Sequence, residues 1–209
     1  MDLLKLEERI TKLIVSEQFD LAEAELQQAK LQATQEADSY ALEEVLSSLA
    51  TLYRVKEPPD LAKAESCSLE LERVSGTGYA KVQTAMMLYW SMHDLERTVT
   101  KAREGITAAT AEQDDKTVYQ GLSLLGLALL DLHQDDEAVR VLGEIESMVA
   151  ARLRIVVGDE TLFLERLFEQ TKAEKTRNAI QEIARILWPV CREAAFADRL
   201  KTLANASLT

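Results

Sequence analysis

Six residues, DLAEAE at Asp20–Glu25, recur 40 residues later as DLAKAE at Asp60–Glu65. A chain that copies itself at such a period is built from stacked versions of one supersecondary unit, each too small to bury its own apolar face alone. Both copies follow a turn-like stretch, SEQF or KEPP, and both open with an acidic residue, which the dipole favours in the first turn of a helix. The unit is therefore helical. Only 7 glycines and 3 prolines occur in 209 residues, whereas an all-β chain needs a turn roughly every 8–12 residues.

Helices laid around these anchors form pairs at about 3–33, 41–73, 79–112, 117–152 and 160–187, with a closing helix at 189–205, all in one domain spanning 1–209. Pro58 and Pro59 break the second pair at its turn, Ser75–Gly78 separates the second pair from the third, and Val156–Glu160 separates the fourth from the fifth. Pro189 suits the first turn of the closing helix, where its missing N–H costs nothing.

The fourth pair, LSLLGLALLDLHQDDEAVRVLGEI, carries Leu122, Leu125, Gly126 and Leu129 on its first helix and Ala138, Leu142 and Ile145 on its second. This large, large, small, large pattern, followed by small and large residues at i, i+4 and i+7, resembles the tetratricopeptide repeat. In that pattern Gly126 and Ala138 let the paired helices approach while the large residues fill the space between them. Anchors at Ala22, Ala62, Thr98, Ala138 and Ala179 are spaced 40, 36, 40 and 41 apart, longer than the usual repeat of about 34 residues. Such spacing is similar to the extended tetratricopeptide-like repeats of bacterial regulators and motor-protein light chains.

The resemblance implies an all-α, right-handed α-solenoid of about five antiparallel helix pairs with a C-terminal capping helix. It also implies that the first helix of each pair lines a concave groove. Groove-facing candidates are then Ser47, Thr51 and Arg54 in the second pair, Gln83, Met87 and Trp90 in the third, and Gln120, Ser123 and Leu127 in the fourth. Members that clamp a chaperone's C-terminal carboxylate use Lys and Asn at these places, which this chain lacks. An aromatic with Met and Leu beside neutral polar groups suits a hydrophobic or amphipathic peptide.

A net charge of −12 argues against nucleic-acid binding, which needs Lys and Arg to neutralise phosphates. Residues 171–209 carry a net +3, leaving −15 for the rest. Cys67 and Cys191 stand alone, without metal or redox spacing. MDLLKLEERI is not a signal peptide, and the apolar run Leu122–Leu130 is too short to span a bilayer, so a cytoplasmic, membrane-free setting is expected. His93 and His133 fall at equivalent turns, where histidine tolerates the left-handed conformation that ends a helix. Asp135, Asp136 and Glu137 open a helix, and Gly76–Gly78 is a connecting turn without the features of a phosphate loop. The segment Val118–Leu132 is apolar nearly all round. It is either packed centrally or offers part of its surface to a partner. No nucleophile–base pair, cofactor or metal constellation occurs. The expected function is a non-catalytic adaptor or scaffold holding a protein or peptide segment. The alternatives are a ligand- or peptide-sensing regulatory module and a homo-oligomerisation domain built on the apolar third and fourth pairs.

Overall fold

The computed structural model describes residues 2–151 and 158–206. Among them are eleven α-helices and no strand. The first four form two pairs, α1 (Leu3–Val15) with α2 (Phe19–Gln35) and α3 (Ser39–Val55) with α4 (Leu61–Ser75). Next come α5 (Gly78–Met87) with α6 (Leu95–Glu112) and α7 (Asp115–Asp131) with α8 (Asp135–Ala150). The last are α9 (Gly158–Gln170), α10 (Glu174–Leu187) and the single helix α11 (Ala194–Ala204). The chain is an all-α solenoid.

One connector recurs along it. A residue with positive φ ends a helix, and the next residue caps the following one. Ala37, His93 and Gln113 take φ of 52°, 54° and 58°. The aspartates after them, Asp38, Asp94 and Asp114, accept the backbone N–H three residues on at 3.0, 3.3 and 3.1 Å. Each cap satisfies a donor that the first turn would otherwise leave orphaned. Gly76 and Thr77 build the same turn with the residue types best suited to it, φ 67° at the glycine and a 3.3 Å threonine cap on Ala80. Glu17 and His133 repeat the left-handed step, at 59° and 56°. Both histidines are thus turn residues.

Pro189 does not open the last helix. It lies in a one-turn 3₁₀ segment, Trp188–Val190, that finishes α10, and the Cys191 N–H returns to the Leu187 carbonyl at 3.1 Å. Cys191 then runs extended, so α11 starts only at Ala194.

The interior divides into two main clusters. One is formed by α1–α4 around Leu26, Leu49, Leu52 and Tyr53, and the other by α5–α11 around Tyr119, Leu124, Leu129 and Phe163. Their seam crosses the end of α5, where Met87 and Leu88 enter the first cluster while Ala85 and Tyr89 enter the second. A π turn, Leu88–Met92, falls on this seam. Asp94 N–H reaches back to the Leu88 carbonyl at 3.1 Å, one residue farther than the equivalent bonds of Asp38 and Asp114 to Ala33 and Ala109. The π turn therefore inserts one residue into a repeat that otherwise keeps step.

Second helices of neighbouring pairs are joined by ion pairs. Helices α2 and α4 are linked by Glu23–Lys63 at 2.9 Å and Lys30–Glu70 at 2.6 Å. Helices α4 and α6 are linked by Glu65–Arg97 and by Glu72–Lys101 at 2.9 Å, and α6 and α8 by Arg103–Glu137. Glu23 and Lys63 occupy the one position at which DLAEAE and DLAKAE differ. The single change between the copies is what allows them to bond to each other.

Candidate protein-binding groove

The residues that would face a groove lie on the first helices α1, α3, α5, α7 and α9. The structure sorts them sharply. Thr51 is exposed on α3, with Arg54 half-buried one turn later. Gln83 is half-buried on α5, and Trp90, in the π turn, keeps 44% of its surface open. Gln120 is half-buried at the start of α7, its amide 3.2 Å from the Met86 sulfur.

Three expected groove residues are interior instead. Met87 belongs to the N-terminal core, and its sulfur accepts the Ser68 hydroxyl at 3.4 Å. Ser123 and Leu127 are fully buried on α7, Ser123 turning its hydroxyl to the Tyr119 carbonyl at 2.9 Å. The cause is α9. Tyr119, Ser123, Gly126, Leu127 and Asp131 share one face of α7 by helical spacing, and α9 runs along that face. Tyr119 donates its hydroxyl to Glu160, a Cβ placed on Gly126 would meet the Phe163 ring at 2.5 Å, and Asp131 pairs with Arg166. Gly126 therefore makes room for the next pair's Phe163 and not for its own partner helix. Of the two readings for Val118–Leu132, central packing is the one observed, with every residue from Gly121 to Leu130 buried.

Helix α9 also reaches two pairs back. The Tyr89 hydroxyl donates to Asp131 Oδ2 at 2.6 Å, and Arg166 Nη1 donates to the same hydroxyl at 3.2 Å. Burial works to raise the Asp131 carboxyl, but the Arg166 guanidinium and the Tyr89 hydroxyl outweigh it and hold it below its ordinary range. Burial, reinforced by Asp131, pushes the Tyr89 phenol upward. Trp90 packs edge-on against Tyr89, with ring centroids 4.7 Å apart, and burial raises the Asp159 carboxyl, an effect that Trp90 partly offsets. These groups tie α5, α7 and α9 together. Tyr89, Asp131 and Arg166 are each committed to a neighbour, so the cluster braces the fold.

The open part of the row lies at the other end. Helix α1 barely touches α3, and a cleft of about 510 Å³ separates them. Leu6, Ile10 and Val45 form its floor, Leu4 and Tyr40 its exposed rim, and Thr51 lies on its wall. Of this cleft, sequence reasoning named only Ser47 and Thr51 and passed over its floor and rim, although Leu4 and Tyr40 are large apolar residues that match no core position of the repeat. A larger hollow of about 760 Å³ lies between the α1–α2 turn and the Lys56–Asp60 loop. Its walls mix charged loop residues with Phe19, Leu21, Pro58, Pro59 and Leu61, and it lies off the row of first helices. Among the described residues no group of three or more His, Cys, Asp or Glu is placed to hold a metal ion, and no helix is long and apolar enough to cross a membrane.

This architecture is that of the tetratricopeptide-like repeat proteins. Over 99% of its length the chain superposes on 85% of BtubC (BKLC) from P. vanneervenii, with a TM-score of 0.64 and 17% identity. It likewise superposes over 99% of its length on the whole of a kinesin light chain-like protein from Podosopora anserina with nearly identical TPR-like repeats, with a TM-score of 0.62 and 14% identity. No protein-family model and no curated protein sequence matches the chain.

Proposed function

We propose that the chain is a non-catalytic protein-interaction module, an adaptor or scaffold that holds a peptide or protein segment against its row of first helices. One observation carries this reading: the open, apolar-floored cleft between α1 and α3, in a row that is filled by the chain's own residues at its other end. Rigid stacked helices keep such a cleft open before a partner arrives, so little ordering on the protein's side opposes binding. The tetratricopeptide-like fold is consistent with this role, and the mutual engagement of Tyr89, Asp131 and Arg166 supports a bracing rather than a reactive use of that cluster.

Site-specific photo-crosslinking in the native cell tests it. A photoreactive residue at Thr51 is expected to trap a defined partner that the same residue at Glu144, exposed on α8, does not trap. Equal capture from both positions, or none from Thr51, would remove the cleft as the binding surface.

A further inference from the structure

We infer that the α1–α3 cleft receives an amphipathic helical segment of a partner protein whose polar positions carry Lys or Arg. That occupant presupposes the groove-binding reading above and adds its chemistry.

Shape comes first. The floor is apolar, and the rim leaves Leu4 and Tyr40 68% and 67% exposed, large apolar surface that no described residue covers. Helix α1 has 13 residues, about 20 Å at 1.5 Å per residue, which matches an incoming helix of three to four turns. Helix-in-groove recognition uses this geometry, with the ligand's i, i+3, i+4 and i+7 residues on the floor.

Charge narrows the class. Glu7 of α1 and Glu44 of α3 both line the cleft, and no Lys or Arg does. Neither glutamate takes part in an ion pair among the described residues, whereas nearby Glu23, Glu25 and Glu70 are each paired with Lys or Arg. Residues 1–75 hold 16 acidic and 8 basic side chains. An acidic rim around an apolar floor attracts cationic amphipathic segments and repels a second copy of the same surface.

The chain's own C-terminal half supplies a template. There the corresponding face of α7 is closed by α9, the counterpart of α3, which sets Phe163 against Gly126 and pairs Arg166 with Asp131. An apolar residue on the floor beside a cation on a carboxylate is how this architecture fills its own groove.

The test is a titration of the full chain with a labelled 16-residue Leu–Lys peptide, helical with all leucines on one face. Two peptides serve as controls, one with Glu in place of Lys and one with the same composition scrambled. The expected result is saturable one-to-one binding of the Leu–Lys peptide. Affinity should fall at least tenfold in a Glu7→Lys/Glu44→Lys variant and in Tyr40→Asp, with melting midpoints unchanged. It should hold in Glu144→Lys/Glu146→Lys, which alters charge equally but away from the cleft. Equal weakening by the last variant, or equal binding of the scrambled peptide, would reduce the interaction to diffuse charge attraction and overturn the inference. Tighter cleft binding by the Glu peptide, or a concentration-dependent dimer abolished by Tyr40→Asp, would keep the groove and overturn the cationic occupant. If neither peptide binds while Thr51 still traps a partner, the chemistry falls and the groove reading stands.

Discussion

Between α7 and α9 the row of first helices is shut, and between α1 and α3 it is open, although both rest on the same repeat. Counting back 116 residues, from the anchor Ala138 to the anchor Ala22, puts each residue of one interface beside its counterpart in the other. Gly126 stands where Ile10 stands, Leu127 where Thr11 stands, and Ser123 where Glu7 stands. A glycine at the crossing admits Phe163 and brings α9 down onto α7. An isoleucine at the same place, flanked by a glutamate and a threonine, keeps α3 away and leaves a cleft. The openness of the row is therefore decided by the residue at each crossing: the small residue of the repeat pattern is present as Gly126 and is replaced by Ile10 in the first pair.

The largest effect should come from removing the plug. Phe163→Ala empties a fully buried site and is expected to destabilise by about 3–5 kcal/mol in chemical denaturation; a loss under 1 kcal/mol would mean that α9 is not held by this ring. Gly126→Ile writes the N-terminal residue into the C-terminal interface, where its Cβ meets the Phe163 ring. Overpacking of about 1–3 kcal/mol is expected, and an unchanged midpoint would break the comparison drawn above. Asp131→Asn weakens the tie to Arg166 and Tyr89 by about 1–2 kcal/mol at pH 7. Because the native carboxyl is held low, its contribution is present above the unfolded value of about 3.9 and is lost as pH falls through the native value. The gap between variant and parent should thus close below about pH 4, and melting curves taken from pH 7 down to pH 3 check the sign. His133→Gly relieves a non-glycine residue at φ 56° and should stabilise by about 0.5–1 kcal/mol. Leu4→Ala and Tyr40→Ala, on the open cleft, should shift stability by no more than about 0.5 kcal/mol. A larger loss would make them core residues and the cleft an ordinary packing seam.

Local chemistry was plain in the sequence. Left-handed turns at His93 and His133 follow from histidine at helix ends, and the absence of strands from the scarcity of glycine and proline. The groove was less legible, because carrying a family's concave face onto Met87, Ser123 and Leu127 assumes even spacing of the first helices. Spacing here depends on a contact between Gly126 and Phe163, 37 residues apart, and no periodicity within either helix announces it. Gly126 was recognisable as a close-approach residue, but its partner was not: the fourth pair's pattern points to α8, and the ring comes from α9. Met87 was missed for another reason. The π turn shifts the phase at the end of α5, and the side chains there are divided between two cores.

The one-letter difference between DLAEAE and DLAKAE has a mechanical consequence. Glu23–Lys63 is the first in a row of fasteners along the second helices that join one repeat to the next. Such pairs near the surface are individually weak, and salt screens them over about 10 Å at 0.1 M. The first-helix edge is held mostly by apolar contact, which screening does not touch, with the part-buried Asp131–Arg166 pair among it at the α7–α9 crossing. A strip fastened by charge along one edge and by grease along the other bends when the ionic strength changes, and small-angle scattering from low to high salt would record that flexing well before any helix melts.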